Sequence, residues 1–269
     1  MSRLLNHAIV TAAGEKPDGW VYFLHGIYGR GGNLRTLAKN FVRECPSIGV
    51  VLVDLRMHGK STGFDEPHDL ESAANDVILL IKAKHDKKNI VGIVGHSFGG
   101  KVALECNRLW GEGSIKVVVL DSTPSKNPAH MQKLDHTVIR FLNDLKNMPP
   151  NFQSREHFVD WMSEKNYAPG VIQWLAMNLN GDGDTFSFSL EYEAMNSLLT
   201  SYFDRDLWDQ VGEDTFLMVA GKHSSVTQID LEKYKERLPG RVSTAEESSH
   251  WLHVEAPKEV LNFLKEVFC

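Results

Sequence analysis

The stretch Ile90-Val91-Gly92-Ile93-Val94-Gly95-His96-Ser97-Phe98-Gly99-Gly100 decides how the rest of this chain is read. It opens apolar and rich in β-branched side chains, the composition of a buried strand. Gly95-His96-Ser97-Phe98-Gly99 follows, a G-x-S-x-G pattern, and Lys101 to Trp110 then carries apolar Val102, Leu104, Cys106 and Leu109, consistent with a helix. A strand that turns sharply into a helix through this pattern is a nucleophile elbow. Its serine sits on a strained turn, and its glycine neighbours let strand and helix approach. The helix N-terminus presents backbone N–H groups to an oxyanion forming there. A glycine-rich loop is the plainer reading. The strand before, the helix after and the further glycine Gly100 favour the elbow.

Working outward, the same rhythm recurs. Leu4 to Val10 reads as an edge strand, and Gly14 to Gly19 is dense in turn formers. Trp20 to Leu24 is an apolar run expected to be a central strand. It ends in His25-Gly26-Ile27-Tyr28-Gly29 and then Gly31-Gly32, either a flexible loop or a source of backbone N–H donors for an oxyanion. Val50 to Val53 is followed by Asp54-Leu55-Arg56-Met57-His58-Gly59-Lys60-Ser61. Ala73, Val77, Leu80 and Ile81 predict an amphipathic helix over 72–84. Ile115 to Leu120 is another apolar run, ending in Asp121-Ser122-Thr123-Pro124. Strands alternating with helices imply βαβ units and a mainly parallel sheet. Functional groups of such sheets gather at the carboxyl ends of strands, and His25, Asp54, Ser97 and Asp121 all follow apolar runs.

The rhythm breaks after Asp121. Leu134, Val138, Phe141, Leu142 and Leu145 have helical spacing, Val171, Ile172, Leu175 and Leu179 suggest another helix, and Leu190 to Leu207 a third. The expected organisation is an α/β core made of 1–124 and 210–269, with 125–209 inserted as a mostly helical cap. Trp161, Trp174 and Trp208 in this insertion serve mainly to glue it down, while the insertion as a whole covers the rim and excludes water. Thr215 to Gly221 resumes the sheet. Leu231, Tyr234 and Leu238 mark a short helix, and Pro257 opens a last one with Val260, Leu261, Leu264, Val267 and Phe268 on its apolar face.

The chain has 269 residues and a net charge of −6 with no basic block, which argues against nucleic acid as a partner. Cys45, Cys106 and Cys269 match neither a disulfide framework nor a metal site, and their odd number suits a reducing cytosol. No apolar run reaches the roughly 18 residues of a membrane span. The N-terminal Met1-Ser2-Arg3-Leu4 stretch lacks a signal-peptide core, so a cytoplasmic location is expected. No oligomeric state is specified.

A serine needs a general base, usually a histidine oriented by a carboxylate. Of twelve histidines, His250 is the leading candidate, because it lies late in the chain in a loop before the last helix. His253 is the alternative. His96 is fixed by the elbow, and His25 packs beside its own loop. Asp121 follows an apolar run directly and is the expected acid. Its rival Asp230 reads more simply as a residue of a helix N-terminus.

His25-Gly26, Asp54-x-Arg56-x-x-Gly59-x-Ser61, Gly95-x-Ser97-x-Gly99-Gly100 and Ser249-His250-Trp251 together resemble the α/β-hydrolase superfamily. Val119 to Pro124, Gly170 to Leu175 and His250 to Glu255 are similar to its YbfF-like esterase/thioesterase branch, which includes abhydrolase-domain-11 type proteins. The resemblance implies a serine hydrolase of small to medium acyl esters or thioesters. Ser97 would be its nucleophile, His250 its base and Asp121 its acid, with the backbone N–H groups of Ile27 and Phe98 as oxyanion hole. Many relatives carry the acid one strand later, where this chain has Gly221-Lys222-His223-Ser224-Ser225-Val226 and no carboxylate. Tyr28, His96, Trp174 and Trp251 are candidate pocket residues, and no metal or organic cofactor is implied. The alternatives are C–C bond hydrolysis or perhydrolase chemistry on the same fold, or a non-catalytic ligand receptor. Ser97 argues against the relatives whose nucleophile is Asp.

Overall fold

The computed structural model describes residues 3–111, 115–133 and 136–269, and only the backbone of Asp182. Met1 and Ser2, and Leu134 of the first cap periodicity, lie outside the described residues. The first half alternates strands and helices: β1 (His7–Val10), β2 (Gly19–Leu24), α1 (Arg35–Glu44), β3 (Ile48–Val53), α2 (Leu70–Lys84), β4 (Ile90–His96), α3 (Phe98–Trp110) and β5 (Lys116–Leu120). The insertion holds α4 (Thr137–Lys146), α5 (Arg155–Glu164), α6 (Pro169–Ala176), β6 (Leu179–Asp182), β7 (Thr185–Phe188) and α7 (Tyr192–Asp204). The chain closes with β8 (Thr215–Ala220), α8 (Gln228–Arg237), β9 (Val242–Ala245), α9 (Leu252–Glu255) and α10 (Pro257–Phe268).

Seven strands form one sheet in the order β1-β3-β2-β4-β5-β8-β9. Every neighbouring pair is parallel except β1 with β3. The period-2 alternation of the strands splits their side chains between two layers. Val21, Phe23, Val50 and Leu52 pack with Phe41 of α1 and Val260, Leu264 and Phe268 of α10. Tyr22, Leu24, Val51 and Val53 pack on the other face with α2, α3 and α8. Burying a side chain such as Phe41, fully enclosed here, stabilises the fold by about 1.5–3 kcal/mol. This α/β sandwich with a mainly parallel sheet is the fold class expected from the sequence.

Several elements escape the sequence reading, among them α1, α5 and β9. α1 has a clear apolar stripe, Leu37, Ala38, Phe41 and Val42, at helical spacing. β9 is a four-residue edge strand whose half-buried Val242-Ser243-Thr244 carries almost no apolar signal. The insertion is also less uniformly helical than expected. β6 and β7 pair as an antiparallel hairpin around Gly183, which adopts φ 59°, and Phe152 bridges to Phe186.

The cysteine reading needs correction. Cys45 and Cys269 form a disulfide, with Cα atoms 6.1 Å apart, and only Cys106 stays as a buried thiol. Cys45 ends α1 and Cys269 follows α10, and these helices lie side by side on one sheet face, with Phe41 and Phe268 rings 6.1 Å apart. A separation of 224 residues hides that adjacency from any spacing rule. The inference of a reducing compartment loses this support. No helix among the described residues is long and apolar enough to cross a membrane.

Candidate active site

Four strand ends build one rim. His25 follows β2, Asp54 follows β3, His96 ends β4 before Ser97, and Asp121 follows β5. Four residues there hold positive φ: Tyr28 at 62°, Met57 at 60°, Ser97 at 52° and Asp121 at 49°. Non-glycine residues in this region are strained by about 1–3 kcal/mol and persist where their surroundings over-determine them. At Ser97 the surroundings are explicit. Its N–H donates to Leu120 O at 3.0 Å, and its own C=O accepts from Gly100 N–H at 2.9 Å. The glycines are steric requirements. A Cβ on Gly95 would collide with Gly99 O, and one on Gly99 would stand 2.5 Å from Leu24 O. Ser97 occupies the N-cap of α3, so the Phe98 N–H opens that helix without an intrahelical partner.

The loop after β2 lies against the elbow. A Cβ on Gly26 would stand 3.3 Å from Ser97 Cβ. Ile27 is buried, and among the described residues its N–H donates to no protein acceptor. Tyr28 does not line an open pocket as expected. It is fully buried; its hydroxyl donates to Val138 O at 3.0 Å and its carbonyl accepts from Asn178 Nδ2 at 2.8 Å, so it ties the rim to the insertion.

Asp121 is fully buried and surrounded by donors. Oδ2 accepts from Ser225 N–H at 2.9 Å and meets His250 Nδ1 at 2.6 Å. Oδ1 accepts from Ala220 N–H at 2.9 Å and Ser224 Oγ at 2.5 Å. Burial pushes this carboxyl up, but the hydrogen bond and charge of His250, with Ser224 and Ser225, outweigh it and hold it below the usual range. Ser224 and Ser225 are contributors the sequence reading missed. Their signal was present: two hydroxyls in the loop after β8, facing a strand end that carries a carboxylate. Among the described residues the Ser97 hydroxyl makes no hydrogen bond to His250.

The other histidines sort by their partners. His96 is buried beneath the His250 loop; its Nε2–H donates to His250 O at 2.8 Å. It packs on His250 and His253 with ring centroids 4.8 and 4.5 Å away, so it supports the loop and does not line a pocket as expected. His253 is buried and among the described residues makes no bond to a carboxylate, and burial and nearby His250 lower it to about 4. Glu255 accepts from both the N–H and the hydroxyl of Ser249, which fixes the loop from its other side. Trp174 of α6 and Trp251 meet edge to face at 4.6 Å, joining the insertion to the residue after His250. Trp208 instead donates to Ser125 Oγ at the base of the insertion, as glue.

Asp230 lies in the first turn of α8, the helix N-terminus expected for it, and has a further role there. Thr227 caps α8, and the buried Asp230 accepts from Thr123 Oγ1 and Ser125 Oγ, each at 2.6 Å. It holds the entry to the insertion and lies outside the Asp121–His250 pair. Lys101 of α3 holds the same region, donating to Ser125 O at 2.9 Å and Tyr202 O at 2.7 Å.

Residues 21–263 match the model of the alpha/beta hydrolase family, and the chain belongs to that family. Its relatives include the esterase YbfF of Escherichia coli, 23% identical over 266 residues and 97% of each chain. Another is the sn-1-specific diacylglycerol lipase ABHD11 of Danio rerio, 25% identical over 249 residues, 89% of this chain and 75% of the lipase. Among solved structures, a marine microorganism esterase aligns over 100% of both chains with a TM-score of 0.77 at 22% identity, a likeness of fold.

Proposed function

We propose that this chain is a serine hydrolase of carboxylic esters or thioesters with small to medium acyl groups, working through an acyl-enzyme. The observation that carries the reading is the Asp121–His250 pair at 2.6 Å, standing on the same rim as a strained elbow serine. His250 Nδ1–H donates to Asp121, which leaves Nε2 as the basic nitrogen. Ser97 Oγ attacks the acyl carbon as Nε2 takes its proton. The tetrahedral oxyanion faces the N–H groups of Ile27 and Phe98. His250 then protonates the departing alcohol or thiol. Water, activated by the same nitrogen, releases the acid and frees Ser97. The relatives named esterase and lipase support ester chemistry. The edge-to-face pair Trp174–Trp251, with centroids 4.6 Å apart beside His250, supports an apolar acyl site.

A fluorophosphonate probe tests the chemistry, and a panel of p-nitrophenyl esters and matched thioesters tests the range. One label on Ser97, activity lost in Ser97→Ala and rates falling beyond medium chains are expected. Labelling that survives Ser97→Ala, or a rate jump above the micellar concentration of a long-chain lipid, would contradict the reading.

A further inference from the structure

The segment Asp54 to Ser61 carries one of the motifs of the family resemblance, yet none of its side chains enters the mechanism above. The Asp54 carboxylate receives Gly31 N–H at 2.8 Å, Lys60 N–H at 3.0 Å and Asn6 Nδ2 at 2.7 Å, so it staples the segment to the loop after β2. Within that staple, His58 is fully buried. Its Nδ1 lies 2.8 Å from Arg56 O, and a carbonyl can only accept, so Nδ1 carries the proton. Its Nε2 must then be a lone pair, and it accepts Tyr28 N–H at 3.1 Å. His25 repeats the arrangement: Nδ1–H to Gly26 O at 2.8 Å, Nε2 from Leu55 N–H at 3.0 Å. The two rings lie 5.1 Å apart, and the His58 ring lies 6.3 Å from that of Phe98. Burial keeps both imidazoles neutral; for His58, burial followed by the neighbouring His25 brings the group down to about 3.

The consequence follows from peptide planarity. In a trans peptide the C=O and N–H point in opposite directions. Gly26 O is held by His25 Nδ1–H and by Gly29 N–H at 3.0 Å, which aims the Ile27 N–H of the same plane away from them. The next plane ends in Tyr28 N–H. Tyr28 is left-handed at φ 62°, a conformation that relaxes unless both its flanking peptides are held. Asn178 holds its carbonyl, and His58 holds its N–H.

We propose that His58 is a positioning residue for the oxyanion hole: by accepting Tyr28 N–H it locks the peptide after Ile27, while His25 and Gly29 hold the one before it, so that the Ile27 N–H alone of that loop faces the reacting carbonyl beside Phe98 N–H. The proposal rests on the hydrolase reading above. His58 touches no substrate, so its loss acts on the transition state through the loop and leaves ground-state binding largely in place.

Two near-isosteric variants separate the bonds. In His58→Gln the side-chain oxygen reaches the Nε2 position and still accepts from Tyr28. In His58→Asn the amide reaches only the Nδ1 position, keeping the Arg56 contact and losing the Tyr28 acceptor. Steady-state hydrolysis of a p-nitrophenyl ester is measured beside the rate of fluorophosphonate labelling and the melting temperature. His58→Asn is expected to lower kcat and the labelling rate roughly 10- to 100-fold, somewhat less than deletion of an oxyanion donor, with KM within about threefold. His58→Gln is expected to recover most of both rates. Equal rates in the two variants, a change confined to KM, or an Asn variant as fast as wild type would overturn the proposal. If His58→Asn does not fold, a His58→Gln enzyme that folds but is slowed as far as an oxyanion-donor deletion overturns it equally, and one near wild type supports it. A wild type that neither hydrolyses the ester nor labels at Ser97 would overturn the hydrolase reading itself.

Discussion

His250 Nδ1 stands 2.6 Å from Asp121 Oδ2, across 129 residues of sequence. A quarter of the His250 side chain stays exposed while that of Asp121 is wholly buried, so the pair presents one ring to the rim and anchors it from below. His253 has no such anchor; it is buried against His96. His250→Ala is therefore expected to lower kcat on a p-nitrophenyl ester by about 10⁴ or more, and His253→Ala by far less. The reverse ranking would assign the base to His253.

Asp121→Asn and Asp230→Asn should fail differently. The first is expected to lower kcat by about 10⁴, because an amide beside Nδ1 favours the wrong imidazole tautomer. Asp230 accepts two hydroxyls in a buried position, so its amide variant should lose on the order of 1–3 kcal/mol of stability with kcat per folded molecule nearly kept. Denaturant melts and active-site titration on both variants check the contrast. A folded Asp121→Asn enzyme of normal kcat would remove Asp121 from the mechanism.

Ser224 supplies a hydroxyl to Asp121 Oδ1 that Ala220 N–H alone cannot replace. A hydrogen bond to a carboxylate contributes about 1.5–3 kcal/mol, so Ser224→Ala should slow kcat roughly tenfold or more if the bond strengthens as His250 becomes charged. An unchanged kcat would make Ser224 a structural residue of its loop.

Lys101 gives a stability signature. Burial lowers its ammonium from 10.5 to about 7, against the opposing pull of Asp206 and Asp230. Between those values the unfolded chain holds a proton that the folded chain has lost. This group therefore makes the free energy of unfolding rise with pH from about 7 to about 10, by roughly 1 kcal/mol per pH unit, and adds no slope below 7. Urea melts of wild type and Lys101→Met across that range isolate the difference. Parallel curves would mean that Lys101 stays charged in the fold.

Much of this was legible without coordinates. Apolar runs alternating with amphipathic segments placed β2 to β5, α2, α3 and β8, because burial on both sheet faces leaves continuous apolar stretches. The α1 stripe is equally regular, whereas β9 and the β6–β7 hairpin are short and half-exposed and carry little hydrophobic signal.

The elbow, the residues that follow each strand and the late histidine loop are readable along the chain. All of these are local patterns or matters of chain order. Which of His250 and His253 meets Asp121, why His96 and Tyr28 are supports and not pocket walls, and what Asp230 binds all come from the packed fold. It also decided that Ser224 and Ser225 surround the carboxylate, that His58 holds Tyr28, and that Cys45 meets Cys269. Each of these is a contact between segments far apart in the chain. Its geometry comes from strand order and from helices packed on a common sheet face, which no spacing along the sequence records.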